Sequence, residues 1–259
     1  MNAEAVLDLV RLVILVGIFV SGLYYIVRIK KTTRIVFFLL AIASILLSDA
    51  YWLVYDIMRP EVRMPFAANE IGEWALFLLL GAALNTSGSV QFAFARFEII
   101  FAFLFSAANV ALWIGWSGEW IQDIITGIVF AYFICSLVYQ IKFENAFADI
   151  QWSLLGLVCI VLIVGQTATF FTPAFVSKVL DLCCYILLFL TAFAFLVRAI
   201  MSYRKEAPSK VICNTFAMFA WSVVTMYMSS DVFFLAATVL SAIGFLFMFA
   251  SLIKEAEQK

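Results

Sequence analysis

The chain has 259 residues, of which 66% are hydrophobic and 13% charged, with a mean hydropathy of +1.10 and a formal net charge of −1. Soluble domains carry about a quarter of their residues as charges, so this composition excludes a water-soluble globular fold and points to the multi-pass membrane class. Histidine is absent from the sequence, which takes away the usual ligand of zinc intramembrane proteases and haem subunits, and the usual proton carrier.

A helix crosses the hydrocarbon core in about 20 apolar residues, and lipid offers no partner to an unpaired backbone group, so long apolar runs are read as helices. Strand-like alternation is absent, which removes the β-barrel. In chain order the runs lie near 6–28, 33–57, 67–87, 97–116, 119–141, 150–172, 174–199, 210–229 and 232–253. The expectation is an all-α, polytopic transmembrane helical bundle of about nine spans, forming one integral membrane domain over residues 1–259. Eight is the count if the boundary at Ser117-Gly118-Glu119 fails, since almost nothing separates the two spans there.

The N-terminus, Met1 to Asp8, carries Glu4 and Asp8, with no Lys or Arg before Arg11, so the first run lacks the basic leader of a cleavable signal and is expected to stay in the mature protein. Pro60, Pro65, Pro173 and Pro208 all fall in predicted loops. Unbroken helices follow, without the Gly/Pro-interrupted segments that mark the binding sites of many secondary transporters. Five cysteines lie in or beside apolar runs and form neither a disulfide frame nor a CxxC pattern. Each Lys lies at a span end or in a loop, which disfavours a retinal Schiff base, and no GxxxxGK[ST], GxSxG or GxGxxG sequence appears.

Charge sets the orientation. With the N-terminus outside, 12 of the 16 Lys and Arg fall on the side that also receives the C-terminus, and only Arg11, Arg59, Arg63 and Lys178 on the other. The positive-inside rule makes the first side cytoplasmic, and no Lys or Arg is required deep in the bilayer. Of the 17 carboxylates, 11 lie in the outer half, which nets −7 against +6 for the inner half. Positive-inside does not require that acidic bias.

The second span ends in Ser48-Asp49-Ala50-Tyr51-Trp52-Leu53-Val54-Tyr55-Asp56, where Asp49, Trp52 and Asp56 share a stripe at i, i+3 and i+7. The third opens Asn69-Glu70-Ile71-Gly72-Glu73-Trp74, with Asn69 and Glu73 at i, i+4 and Glu70 facing Glu73 and Trp74 at i+3 and i+4. A tight loop makes the two spans antiparallel neighbours, with Arg59 and Arg63 as the nearest counter-charges. Asp49, Trp52, Asp56, Asn69, Glu70, Glu73 and Trp74 are therefore the candidate ligand-binding residues. Together they suggest an outward pocket in which carboxylates and indole faces receive a cationic group. The competing reading leaves Asp56 and Glu70 at headgroup level and the indoles in the interfacial belt.

Weaker outer-half features are Asn109, Asp123, Thr126, Gln166, Thr167 and a Lys178–Asp181 pair expected to be structural. Trp113, Trp116 and Trp120 are expected in the aromatic belt, and Ser222, Thr225, Thr238 and Ser241 in interhelical packing and hydrogen bonding. The leading functional expectation is a non-enzymatic multi-pass protein of the cell membrane, a sensory or accessory component. It would bind a small cationic ligand, or a membrane or cytoplasmic signalling or transport partner. A small-solute or cation transporter using Asp49 and Glu73 is the alternative, and a membrane-embedded lipid enzyme the third. The expected surroundings are the lipid bilayer, with no cofactor, metal or nucleic acid.

Overall fold

A computed structural model describes residues 3–58, 68–86, 94–117, 120–228 and 231–258, and the side chains among them except at 3–5, 55–58, 68, 69, 116, 117 and 231. Nine helices follow one another among the described residues: α1 (Ala3–Arg28), α2 (Thr33–Met58), α3 (Ala68–Asn85), α4 (Arg96–Ser117), α5 (Trp120–Phe143), α6 (Asp149–Thr169), α7 (Ala174–Tyr203), α8 (Pro208–Met228) and α9 (Asp231–Gln258). They bear out the helical bundle in its expected order. Eight are long and apolar enough to cross a membrane, so the protein is a multi-pass membrane protein seated in a lipid bilayer.

The helix outside that set of eight is α3. The doubtful boundary at Ser117-Gly118-Glu119 does separate α4 from α5. α3 has 18 residues and opens on Asn69, Glu70 and Glu73, so it is short for an independent span. It is sheltered by α2 and α5, against which it packs.

α8 packs against α4, α5, α7 and α9, and 89% of its span is buried, against 11% for α6 and 17% for α1. Small and weakly polar residues let it sit there. Asn214, Thr215, Ser222 and Thr225 are fully buried, which lipid-facing helices do not need. Around α8 the core is aromatic: Phe133 packs on Phe216 and Phe219 with ring centroids 6.3 and 6.2 Å apart. Phe219 meets Phe245 at 4.8 Å, and Phe77 meets Phe130 edge-on at 5.2 Å.

The hydroxyls expected to bond between helices turn back on their own. Ser222 donates to Met218 O, Thr238 to Phe234 O and Ser241 to Thr238 O, at 2.9, 3.0 and 2.8 Å. Thr225 likewise donates to Trp221 O at 2.7 Å. An i−3 or i−4 carbonyl is always within reach of a helical hydroxyl, so Ser222, Thr238 and Ser241 bond locally while their small size serves the packing. Trp113 is also corrected: only 4% exposed, it belongs to the core and not to a lipid-headgroup belt. Trp120, at 58% exposed, fits the belt, and the Trp116 side chain lies outside the described residues.

The basic ends of α2, α3 and α9 are held by one side chain. Arg34 donates from Nε to Ala83 O at 2.9 Å and from Nη2 to Leu84 O at 3.2 Å, and its Nη1 lies 2.5 Å from Glu255 Oε2. Leu84 O also accepts from Gln140 Nε2 at 2.9 Å. A helix leaves its last carbonyls without intrahelical partners, and here a guanidinium and an amide satisfy those of α3. Lys30 Nζ donates to Ala256 O at 2.9 Å, and α9 continues to Gln258, five residues past the predicted end of its apolar run. Arg34 is 7% exposed, buried among helix ends although it is only the second residue of α2.

Five cysteines are free thiols, in line with their reading as small apolar side chains.

Candidate functional site

At the acidic end the helices enclose a cavity of about 260 Å³. Ile45, Ser48, Asp49 and Trp52 line it from α2. That i, i+3, i+4, i+7 spacing is one face of a helix. Glu73, Leu76 and Phe77 line it from α3, Asp8 and Arg11 from α1, Phe219, Val223, Met226 and Tyr227 from α8, and Phe234 and Ser241 from α9. Ser241 lies ten residues inside α9, so the cavity reaches about 15 Å along the helices.

Two close approaches bring the carboxylates together. Gly72 packs against α2 so tightly that a Cβ there would lie 2.7 Å from Ser48 Cβ and 3.0 Å from Ser44 O. Asp49 follows Ser48 and Glu73 follows Gly72, so the backbone contact places both carboxyl groups on the same cavity.

Asp49 is paired with Arg11, whose Nε lies 3.1 Å from Oδ2, and their side chains are 15% and 12% exposed. The contact is an ion pair without closed hydrogen-bond alignment, since neither atom completes a hydrogen bond. Glu73 accepts a short hydrogen bond from the Tyr227 hydroxyl. Tyr227 in turn packs on Trp113, ring centroids 5.0 Å apart. Tyr227 is 40% exposed although α8 is the most buried span, which fits a side chain that borders an open cavity.

The sequence-predicted residues therefore divide. Asp49, Trp52 and Glu73 line one cavity. Trp74 does not line it; its Nε1 donates to Thr126 Oγ1 at 2.8 Å, across the α3–α5 contact. Glu70 is half-buried and lies close enough to Glu73 to act on it electrostatically, but it is not in the cavity wall. The side chains of Asp56 and Asn69 lie outside the described residues, as do Arg59 and Arg63.

The counter-charge that the structure describes is Arg11, on α1. Its position carried a usable signal. Arg11 is eight residues inside α1 and Asp49 nine residues inside the opposite end of α2, so both sit about 12 to 14 Å from the same bundle end. Matched depth between opposite charges narrows the possible partners without coordinates. Tyr227 carried no comparable signal, since tyrosine near a span end is ordinary in a membrane protein.

Among the weaker candidates, Lys178 and Asp181 form no ion pair. Asp181 turns toward Gln166, which is fully buried with neither amide atom in a closed hydrogen bond. Asn109 donates back to Phe105 O at 2.8 Å. No group of three metal-ligating side chains occurs among the described residues.

Chemically, among the described residues the cavity offers three carboxyl groups, from Asp8, Asp49 and Glu73, and the Arg11 guanidinium, together with the Trp52 and Tyr227 rings. Opposite charge and aromatic faces are the two ways in which proteins hold organic cations. No protein-family model, no curated protein and no solved structure matches this chain.

Proposed function

We propose that this is a non-enzymatic multi-pass protein of the cell membrane that binds a small organic cation at the acidic-end cavity, as a sensory or accessory membrane component. The observation that carries the reading is the convergence of three described carboxyl groups, from Asp8, Asp49 and Glu73, on a 260 Å³ space. A water needs about 10–15 Å³ of such space, so there is room for a small molecule. Ionisable residues kept within membrane spans are costly, which favours a functional reason for them. The Lys and Arg distribution supports an external position for this end.

The test is equilibrium binding of ammonium compounds to the protein in lipid nanodiscs, followed by tryptophan fluorescence and calorimetry. Binding that is lost in Asp49→Asn and Glu73→Gln, with no flux in proteoliposomes, is the expected result. Counterflow that depends on both carboxylates would make the protein a transporter. Absence of binding by any cation would overturn the reading.

A further inference from the structure

We infer, on the reading of the cavity as a cation site, that its ligand is a monocationic ammonium with an apolar, ring-sized substituent, and that the ammonium takes Asp49 over from Arg11. The cavity wall is divided by chemistry. Asp8, Arg11, Asp49 and Glu73 carry its charges, while Trp52, Met226, Tyr227 and Phe234 supply its accessible apolar faces from α2, α8 and α9. Trp52 and Tyr227 are 38% and 40% exposed, and Met226 and Phe234 are half-buried, whereas Phe77 and Phe219, at 2%, offer almost no surface. A short polycation would leave these faces wet or strip water from a second ammonium against them, and the second alternative is costly. A single ammonium with an aromatic or branched body matches both halves, as apolar pockets with a few convergent polar groups generally do.

Arg11 makes the site one that is already occupied by the protein's own cation. Its guanidinium holds Asp49 at 3.1 Å, so a ligand ammonium gains that carboxylate only by competition. Burial of the apolar body supplies what Arg11 lacks in that competition. Release of Arg11 runs along its own helix, since a long side chain can turn toward the headgroup level. Asp8 lies one turn closer to the acidic end on the same face of α1 and borders the same cavity. Displacing the guanidinium costs α1 its ion pair to α2.

The probes are phenethylamine, putrescine and 2-phenylethanol, titrated against the full chain in nanodiscs of phosphatidylcholine and phosphatidylglycerol. Phenethylamine binds, and putrescine and phenylethanol bind at least about tenfold more weakly. Arg11→Gln tightens phenethylamine binding by about tenfold, as expected when the competing internal partner holds the site most of the time, and Asp49→Asn abolishes it. The wild-type ligand series decides the matter even if a variant fails to fold. Putrescine binding as tightly as phenethylamine, or weaker phenethylamine binding in Arg11→Gln, overturns this inference and leaves the cation site standing. Loss of phenethylamine binding when phosphatidylethanolamine is added would assign the ammonium to a lipid headgroup and overturn the soluble ligand. No binding by either amine overturns the cation site itself.

Discussion

Gly72 and Ser48 meet where α3 crosses α2, and a methyl group on Gly72 would stand 2.7 Å from Ser48 Cβ. Real side chains do not approach so closely, and Ser44 O, at 3.0 Å from the same point, belongs to backbone that cannot rotate away. Gly72→Ala should therefore push α3 from α2, with an overpacking cost of about 1–3 kcal/mol. Thermal unfolding in detergent should show the loss. Ser48→Gly in the same chain should recover only part of it, because the carbonyl contact remains.

Arg34 offers a sharper test of what holds the opposite end. Truncating it to Met removes the cation from Glu255 and one donor each from Ala83 O and Leu84 O, which keep Thr86 Oγ1 and Gln140 Nε2. Breaking a buried ion pair from one side costs about 3–5 kcal/mol, so Arg34→Met should be the most destabilising single change at the basic end. Glu255→Gln, which keeps an acceptor for the guanidinium, should cost less. A thermal-shift series on the two variants checks the order.

Arg11 and Asp49 should behave as a coupled pair in stability as well as in binding. Each single neutralisation leaves the other charge in the membrane without its partner, whereas Arg11→Gln with Asp49→Asn removes both. The double variant should then be more stable than the sum of the single losses predicts, by about 0.5–3 kcal/mol. Additive losses would show that the two charges are held independently.

Trp74 separates packing from ligand contact. Its indole donates to Thr126 at 2.8 Å, so Trp74→Phe should lower stability by about 0.5–1.5 kcal/mol for the lost hydrogen bond. Amine affinity should stay within about a factor of three. A large loss of affinity with unchanged stability would return Trp74 to the site.

Orientation can be read by cysteine labelling in a background without the five native thiols. Phe171 is 83% exposed at the α6–α7 turn, and Lys205 lies in the α7–α8 turn at the opposite end. The positive-inside rule makes Phe171→Cys reactive to an impermeant maleimide on intact cells, and Lys205→Cys reactive only after permeabilisation.

The helices themselves were readable because lipid imposes a simple demand: runs of apolar residues must close their own hydrogen bonds. α9 outran its reading because Glu255 and Ala256 are stabilised by Arg34 and Lys30, contacts that no local pattern reveals. At the site, Asp49, Trp52 and Glu73 were legible from depth and helical stripe. Trp74 was not separable from them, since its neighbour Thr126 comes from a helix about fifty residues away. Arg11 was overlooked in favour of loop arginines, which are close in sequence but fall outside the described residues. Trp113 looked interfacial only because composition cannot tell a tryptophan facing lipid from one packed on Tyr227.

Glu255 stands 221 residues beyond Arg34 in the chain. A polypeptide emerging from the N-terminus inserts α2 and α3 long before α9 exists, so the guanidinium must wait through most of synthesis for its anion. Until the final helix is made, only the carbonyls of Ala83 and Leu84, among the described residues, hold the Arg34 guanidinium, so the basic end of the bundle closes last.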